Sequence, residues 1–194
     1  REVIRFGAEH GYPIYERSYG YSLLGAGKEE EGFRWMKKAY DHGEPEACFY
    51  LGYCYELGKG VERNFSLAVQ CYSDGLKTPH NRASCCNHLG AMYYDGRGVP
   101  QDYAKAYQLL KWADDQGAGN WAPYYLGACY AYGRGTQQDY GLARKYLEKI
   151  TGNDPIAFCL LGKLYAEGLG GPEDIAKGVE YFQKAGDLPE AQEE

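Results

Sequence analysis

A dipeptide that keeps returning is the tightest constraint on this chain. Leu51-Gly52 recurs as Leu89-Gly90, Leu126-Gly127 and Leu161-Gly162, at intervals of 38, 37 and 35 residues. Six residues after each of these glycines a Gly-x-Gly begins: Gly58-Lys59-Gly60, Gly96-Arg97-Gly98, Gly133-Arg134-Gly135 and Gly168-Leu169-Gly170. Four residues beyond stands a residue suited to capping a helix, namely Asn64, Asp102, Asp139 or Asp174. A repeat of this length means stacked units, each too small to bury its apolar face alone.

Each unit reads as helix, tight turn, helix. Cys85, Leu89, Met92 and Tyr93 lie at i, i+4, i+7 and i+8, one apolar stripe at helical period. The Gly-x-Gly stops that helix, because glycine takes the left-handed conformation at little cost. Asp102 or its equivalent then accepts from the free amides that open the second helix. That helix buries Ala106, Leu109 and Leu110, matched by Ala143, Tyr146, Leu147 and by Gly178, Tyr181, Phe182. A small residue in each set lets the two helices approach closely.

The same register divides the chain into a half repeat (1–11), a degenerate repeat (12–43), full repeats at 44–81, 82–119, 120–154 and 155–188, and a tail at 189–194. In the degenerate repeat Tyr19-Gly20-Tyr21 stands over Leu51-Gly52-Tyr53. Because the chain opens inside a unit and without methionine, upstream sequence is expected to have been removed.

Charge narrows the partners. The net charge of -6 and a pI near 5.3 argue against a nucleic-acid backbone or an anionic membrane surface and favour a basic protein. No apolar stretch reaches the roughly 18 residues a membrane span requires, so direct membrane insertion is not expected.

Catalytic or metal chemistry finds no purchase in the spacing. His10, His42, His80 and His88 form no i, i+4 pair and read as capping or surface residues. The seven cysteines contain no Cys-x-x-Cys. Cys54 and Cys129 share a repeat position with Met92 and Leu164, which marks them as small core residues. One bridge, from Cys71 to Cys85 or Cys86, stays open. Each Gly-x-Gly follows a helix where a dinucleotide fingerprint needs a strand. No catalytic residue, metal ligand or cofactor is therefore assigned.

The run Leu-Gly-x-x-Tyr-x-x-Gly-x-Gly-Val-x-x-Asp-x-x-x-Ala, seen from Leu89 to Ala106, resembles the Sel-1-like repeat, a relative of the tetratricopeptide repeat. The departures are Thr136 and Gly171 in place of the valine and Gly178 in place of the alanine. The resemblance implies an all-α fold, a right-handed α-solenoid of helix-turn-helix repeats, acting as a non-enzymatic protein-interaction scaffold. In such solenoids the first helices line the concave wall. Residues of those helices that turn away from the packed stripe are then the candidates for a binding groove.

With Leu51 as reference and 100° per residue, Phe49, Tyr53 and Glu56 point away from the stripe, with Asn87, Ala91 and Tyr94 as their counterparts in the next repeat. The candidate partner-binding strip is Phe49, Tyr53, Tyr94, Trp121, Tyr124 and Tyr132. Tyrosine and tryptophan give large contact area for little lost side-chain entropy. Tyr55, Tyr93, Tyr130 and Tyr165 recur at the core phase and read as structural. Lys59, Arg97 and Arg134, on the turn tips, read as solubilising.

The resemblance also suggests a narrower role. Some bacterial members are immunity proteins that neutralise lipase effectors of type VI secretion, so a secreted lipase effector is one expected partner. It would place this chain in the periplasm, with the cytoplasm as the alternative. An envelope-assembly or signalling adaptor, and less naturally a hydrolase, are the competing readings.

Overall fold

In a computed structural model, which describes residues 2–117 and 122–186, every element is helical. The helices are α1 (Glu2–Glu9), α2 (Pro13–Gly25), α3 (Glu29–Asp41), α4 (Ala47–Leu57), α5 (Phe65–Gly75), α6 (Arg82–Asp95), α7 (Tyr103–Asp115), α8 (Ala122–Tyr132), α9 (Tyr140–Leu147), α10 (Pro155–Ala166) and α11 (Ile175–Ala185). Two compact units divide them, one from Arg1 to Asp102 and the other from Tyr103 to Glu194. Among the described residues no helix is long and apolar enough to cross a membrane.

Within each unit, consecutive helices pair as hairpins: α2 with α3, α4 with α5, α8 with α9 and α10 with α11. The glycines Gly52, Gly127 and Gly162 lie where first and second helix touch. A Cβ on Gly52 would sit 2.7 Å from the Tyr72 ring, and one on Gly162 would sit 3.0 Å from the Gly178 carbonyl oxygen. Between hairpins of the first unit, Met36, Ala39, Ala47 and Leu51 form a buried cluster, flanked by Leu24, Phe33, Tyr40, Tyr50 and Cys71.

The turn chemistry follows the sequence closely. The first glycine of each Gly-x-Gly is left-handed, with φ of 72° at Gly58 and 69° at Gly96. The residue after it turns its amide back to the first helix: Lys59 to Cys54, Arg97 to Met92, Arg134 to Cys129 and Leu169 to Leu164, each at 2.9 Å. The capping residue then does two jobs. Its own amide donates to the carbonyl of the core-phase tyrosine, as in Asn64 to Tyr55 at 2.8 Å and Asp139 to Tyr130 at 2.9 Å. Its side chain accepts from the helix it opens: Asn64 from Leu67, Asp139 from Leu142 and Asp174 from Lys177. The nine-residue spacing from tyrosine to cap is the length of chain this closure needs.

The second glycine of each turn meets the hairpin before it. Gly98 approaches the first residue of α5 so closely that a Cβ would stand 2.5 Å from the Phe65 carbonyl carbon. Gly60 meets Glu29 at the start of α3 in the same way, Gly135 meets Tyr103 at the start of α7, and Gly170 meets Tyr140 at the start of α9. One backbone-on-backbone joint thus recurs at every described seam between successive hairpins, and each joint lies within a single unit.

Candidate partner-binding groove

In the first unit the first helices α2 and α4 bound a cavity of about 410 Å³ lined by Tyr21, Leu24, Gly25, Phe49, Tyr50, Tyr53 and Lys59. Tyr21 and Tyr53 occupy the same repeat position, one residue after the glycine of their respective Gly pairs. Helical repetition therefore brings both rings to one wall. Tyr21 is largely exposed, while Phe49, Tyr50 and Tyr53 are half-buried. Their rings form a connected series: Tyr21 to Tyr50 at 5.1 Å, Tyr50 to Phe49 at 5.2 Å and Phe49 to His88 at 5.7 Å between centroids. Tyr53 meets the same imidazole edge-on at 6.2 Å. Burial, reinforced by Tyr21, raises the Tyr50 hydroxyl above its ordinary pKa. The Lys59 ammonium stands 5.4 Å from the Tyr53 ring and 3.7 Å from Glu29 Oε1.

Beneath this wall lies a polar cluster that helical phase alone does not reveal. Glu56 is 7% exposed and accepts from the fully buried Tyr72 hydroxyl at 2.8 Å. His88 Nδ1 lies 2.8 Å from the same carboxylate oxygen, and Arg97 Nη1 lies 3.2 Å from the other. These residues come from α4, α5, α6 and the turn after α6, so one buried carboxylate ties three helices together. Burial alone would raise the Glu56 carboxyl, but the contacts from His88, Tyr72 and Arg97 outweigh it and hold the group below its ordinary range. A second buried carboxylate, Glu16 of α2, is held by His42 at 2.8 Å and Lys38 at 3.0 Å. His88 is thus the partner of a buried acid, which corrects its reading as a surface or capping residue, whereas His42 is the exposed C-cap of α3 and reaches Glu16 from there.

Two further expectations are corrected. Tyr94 is only 6% exposed, so it is no part of an open strip. It occupies the repeat position of Glu56, and there the reason is visible. On α4 the side turned away from the packed stripe is covered by α6 and the turn after it, as His88 and Arg97 cover Glu56. Asn87, Ala91, Ala128 and Ala131, on the same arc, are buried as well. Arg97 in turn is a brace at this seam, pairing with Asp95 at 3.1 Å and with Glu56. Lys59 is likewise engaged with Tyr53 and Glu29.

The second unit carries its own share of the strip. Tyr124 is half-buried and stacks edge-on with Tyr125 at 5.0 Å. Tyr132 is 53% exposed and lies under the Arg134 guanidinium at 4.8 Å. Trp121 lies outside the described residues. The core-phase tyrosines pack inward: Tyr130 stacks on Tyr146 at 5.5 Å, Tyr165 on Tyr181 at 5.7 Å, and Tyr55 meets Phe33 at 5.4 Å in the first unit.

Tyr21 and Tyr50 are the cavity residues that sequence reasoning missed. Tyr21 carried a usable signal, its alignment with Tyr53, whereas Tyr50 lies 100° from Leu51 on the same wheel, on neither the packed stripe nor the opposite arc. All seven cysteines are free, so neither pairing of Cys71 is formed. Among the described residues no group of three or more potential ligands is placed to hold a metal ion.

The Sel1 repeat model matches residues 15–44, 45–73, 83–113, 122–150 and 156–189. A solved structure of c5321, a protective antigen present in uropathogenic Escherichia coli strains and displaying an SLR fold, covers 95% of this chain with a TM-score of 0.73 and 26% identity, over 40% of its own length. A Sel1 repeat protein from Oxalobacter formigenes covers 89% of the chain and 70% of its own, with a TM-score of 0.71 and 28% identity. The chain is also similar to the chitin synthase regulator SKT5 of Saccharomyces cerevisiae, 42% identical over 55 residues, or 28% of this chain. The rat DAP3-binding cell death enhancer 1 is 41% identical over 44 residues, or 23% of this chain. The chain spans less than a tenth of the length of these two curated relatives. Proteins built from such repeats are generally protein-interaction scaffolds, and their fold is typically non-enzymatic. Five matched repeats, an all-helical α-solenoid architecture and the recurring Gly-x-Gly joint place this chain in the Sel1-repeat family.

Proposed function

We propose that this chain is a non-enzymatic scaffold whose first unit holds a segment of a partner protein against the α2–α4 wall. The observation that carries the reading is the aromatic cavity, in which matched positions of successive first helices supply Tyr21 and Tyr53 while Phe49 and Tyr50 complete the lining. A partly open cavity of this size accepts a large apolar side chain, and rings already restrained by neighbours lose little entropy on binding. Tyr124 and Tyr132 offer a further contact surface in the second unit.

The test is a comparison of captured proteins. The chain is used as bait in native cell extracts beside a Tyr21→Ala/Tyr53→Ala variant and a control altered at exposed Lys37 on α3. A specific partner is retained by wild type and by the control and lost by the double variant. Retention by all three would place the interface elsewhere. A narrower reading, an immunity protein that neutralises a secreted lipase effector from the periplasm, extends to this chain a role that some members of the family have. A toxic lipase encoded beside this gene, and inhibited by the purified chain, is the result it requires.

A further inference from the structure

The first unit contains a second cavity, of about 320 Å³, separate from the aromatic groove. It is lined by Tyr40, Pro45, Glu46, Cys48, Asp74, Lys77, Thr78 and Pro79. Cys48 is the second residue of α4, and Cys85 lies in the first turn of α6, the first helix of the next hairpin. Both are buried. Their sulfurs converge on bare backbone at Gly75. A Cβ there would lie 3.2 Å from Cys48 Sγ and would collide with Cys85 Sγ. The Cys85 thiol donates to Cys48 Sγ, and the Cys48 thiol donates to the Pro45 carbonyl at 2.7 Å.

The two thiols are unequal. The hydrogen bond from Cys85 lowers the Cys48 pKa; burial and the Asp74 charge oppose this, while the amides of Phe49 and of Cys48 itself assist. Cys48 stands in the first turn of α4, where Glu46, the residue before the helix, makes no side-chain cap and the Ala47 and Cys48 amides donate to the Glu44 and Pro45 carbonyls. Cys85 is shifted upward, by its bond to Cys48 and by burial. A nucleophilic thiol facing a cavity, with a second thiol hydrogen-bonded behind it, is the arrangement that disulfide exchange requires. Repeat alignment pointed instead to Cys71, whose thiol is pushed up to about 12 by burial and by neighbouring Cys48.

We propose that Cys48 and Cys85 form a thiol–disulfide exchange site that reduces a small organic disulfide entering this cavity and, in doing so, links α4 to α6. Cys48, as thiolate, attacks one sulfur of the disulfide, forming a mixed disulfide and expelling one thiolate. Cys85 loses its proton and attacks the Cys48 sulfur, so that a Cys48–Cys85 bond forms and the second small thiol leaves. Two protein thiols are oxidised and one disulfide is reduced to two thiols. This site is independent of the protein-binding reading above.

The probe is cystamine, added to the reduced, folded chain, followed by thiol counting in denaturant and peptide mapping without reduction. Wild type is expected to fall from seven thiols to five, with a peptide joining Cys48 to Cys85. Cys85→Ser is expected to stop at a cystamine adduct on Cys48, and Cys48→Ser to give no linked peptide. A chain that keeps seven thiols, an adduct confined to half-buried Cys71 or Cys159, or a linkage that forms only in denaturant would overturn the proposal. The wild-type map decides the matter even if either serine variant fails to fold.

Discussion

The Tyr72 hydroxyl and the Glu56 carboxylate meet at 2.8 Å in the interior of the first unit, with Tyr72 wholly removed from solvent. Removing the donor leaves a buried carboxylate one partner short. Tyr72→Phe keeps the ring against Gly52 and should therefore cost about 1–3 kcal/mol, the range for an unsatisfied buried polar group. Urea denaturation of the two proteins measures it, and an unchanged midpoint would show that solvent replaces the hydroxyl.

The same cluster should make stability depend on acid. The folded Glu56 carboxyl lies below its ordinary value, so the folded state holds its proton less readily than the unfolded chain. Its contribution is complete above the unfolded pKa of about 4.3 and is lost as pH falls through the lower folded value. Glu56→Gln should be less stable than wild type near neutrality, and the gap should close as pH drops below about 4. A gap that stays constant across that range would contradict the assignment.

The two glycines of one turn should differ sharply in what they tolerate. At Gly133 an added Cβ meets nothing nearer than 3.5 Å, so Gly133→Ala bears mainly the left-handed backbone cost of roughly 1–2 kcal/mol. At Gly135 the same backbone penalty is joined by collision with the Tyr103 main chain, which cannot rotate aside as a side chain can. Gly135→Ala should be clearly the more destabilising of the pair in thermal melts. Equal effects would mean that the joint yields.

Helix caps offer a milder check. Asn64 and Asp139 each accept one opening amide, at 3.0 Å and 2.9 Å. Replacing either with alanine should cost about 1 kcal/mol, measured by the same denaturation.

Groove and core tyrosines should separate by phenotype. Tyr53→Ala, at a half-buried ring on the cavity wall, should weaken partner binding by roughly 2 kcal/mol if it is an anchor, with little change in melting. Tyr94→Ala, in a position 6% exposed, should lower stability by about 3 kcal/mol. The reverse pattern would return Tyr94 to the interface and remove Tyr53 from it.

The architecture was legible because it depends on local chemistry repeated at fixed spacing. Gly58, Gly96 and their counterparts, the caps at Asn64, Asp139 and Asp174, and the inward tyrosines all do in the structure what their positions imply. The exposure of the candidate strip was legible only in part, since a helical wheel drawn on one packed stripe treats the rest of the helix as free. In stacked hairpins a first helix is flanked by its neighbour as well, and that is why Glu56 is buried beneath His88 and Arg97. Glu56, His88 and Arg97 are far apart in sequence and have no matching trio in the other repeats, so periodicity could not announce their meeting.

The contact of Gly98 with the opening of α5 has a consequence for how such chains change length. A socket formed from main chain imposes no identity on the side chains around it, and each hairpin carries both the glycine that docks and the helix start that receives. Whole hairpins can then be gained or lost by recombination without inventing a new junction. The residue held between the paired glycines can then be given to other work, as Arg97 is to Glu56.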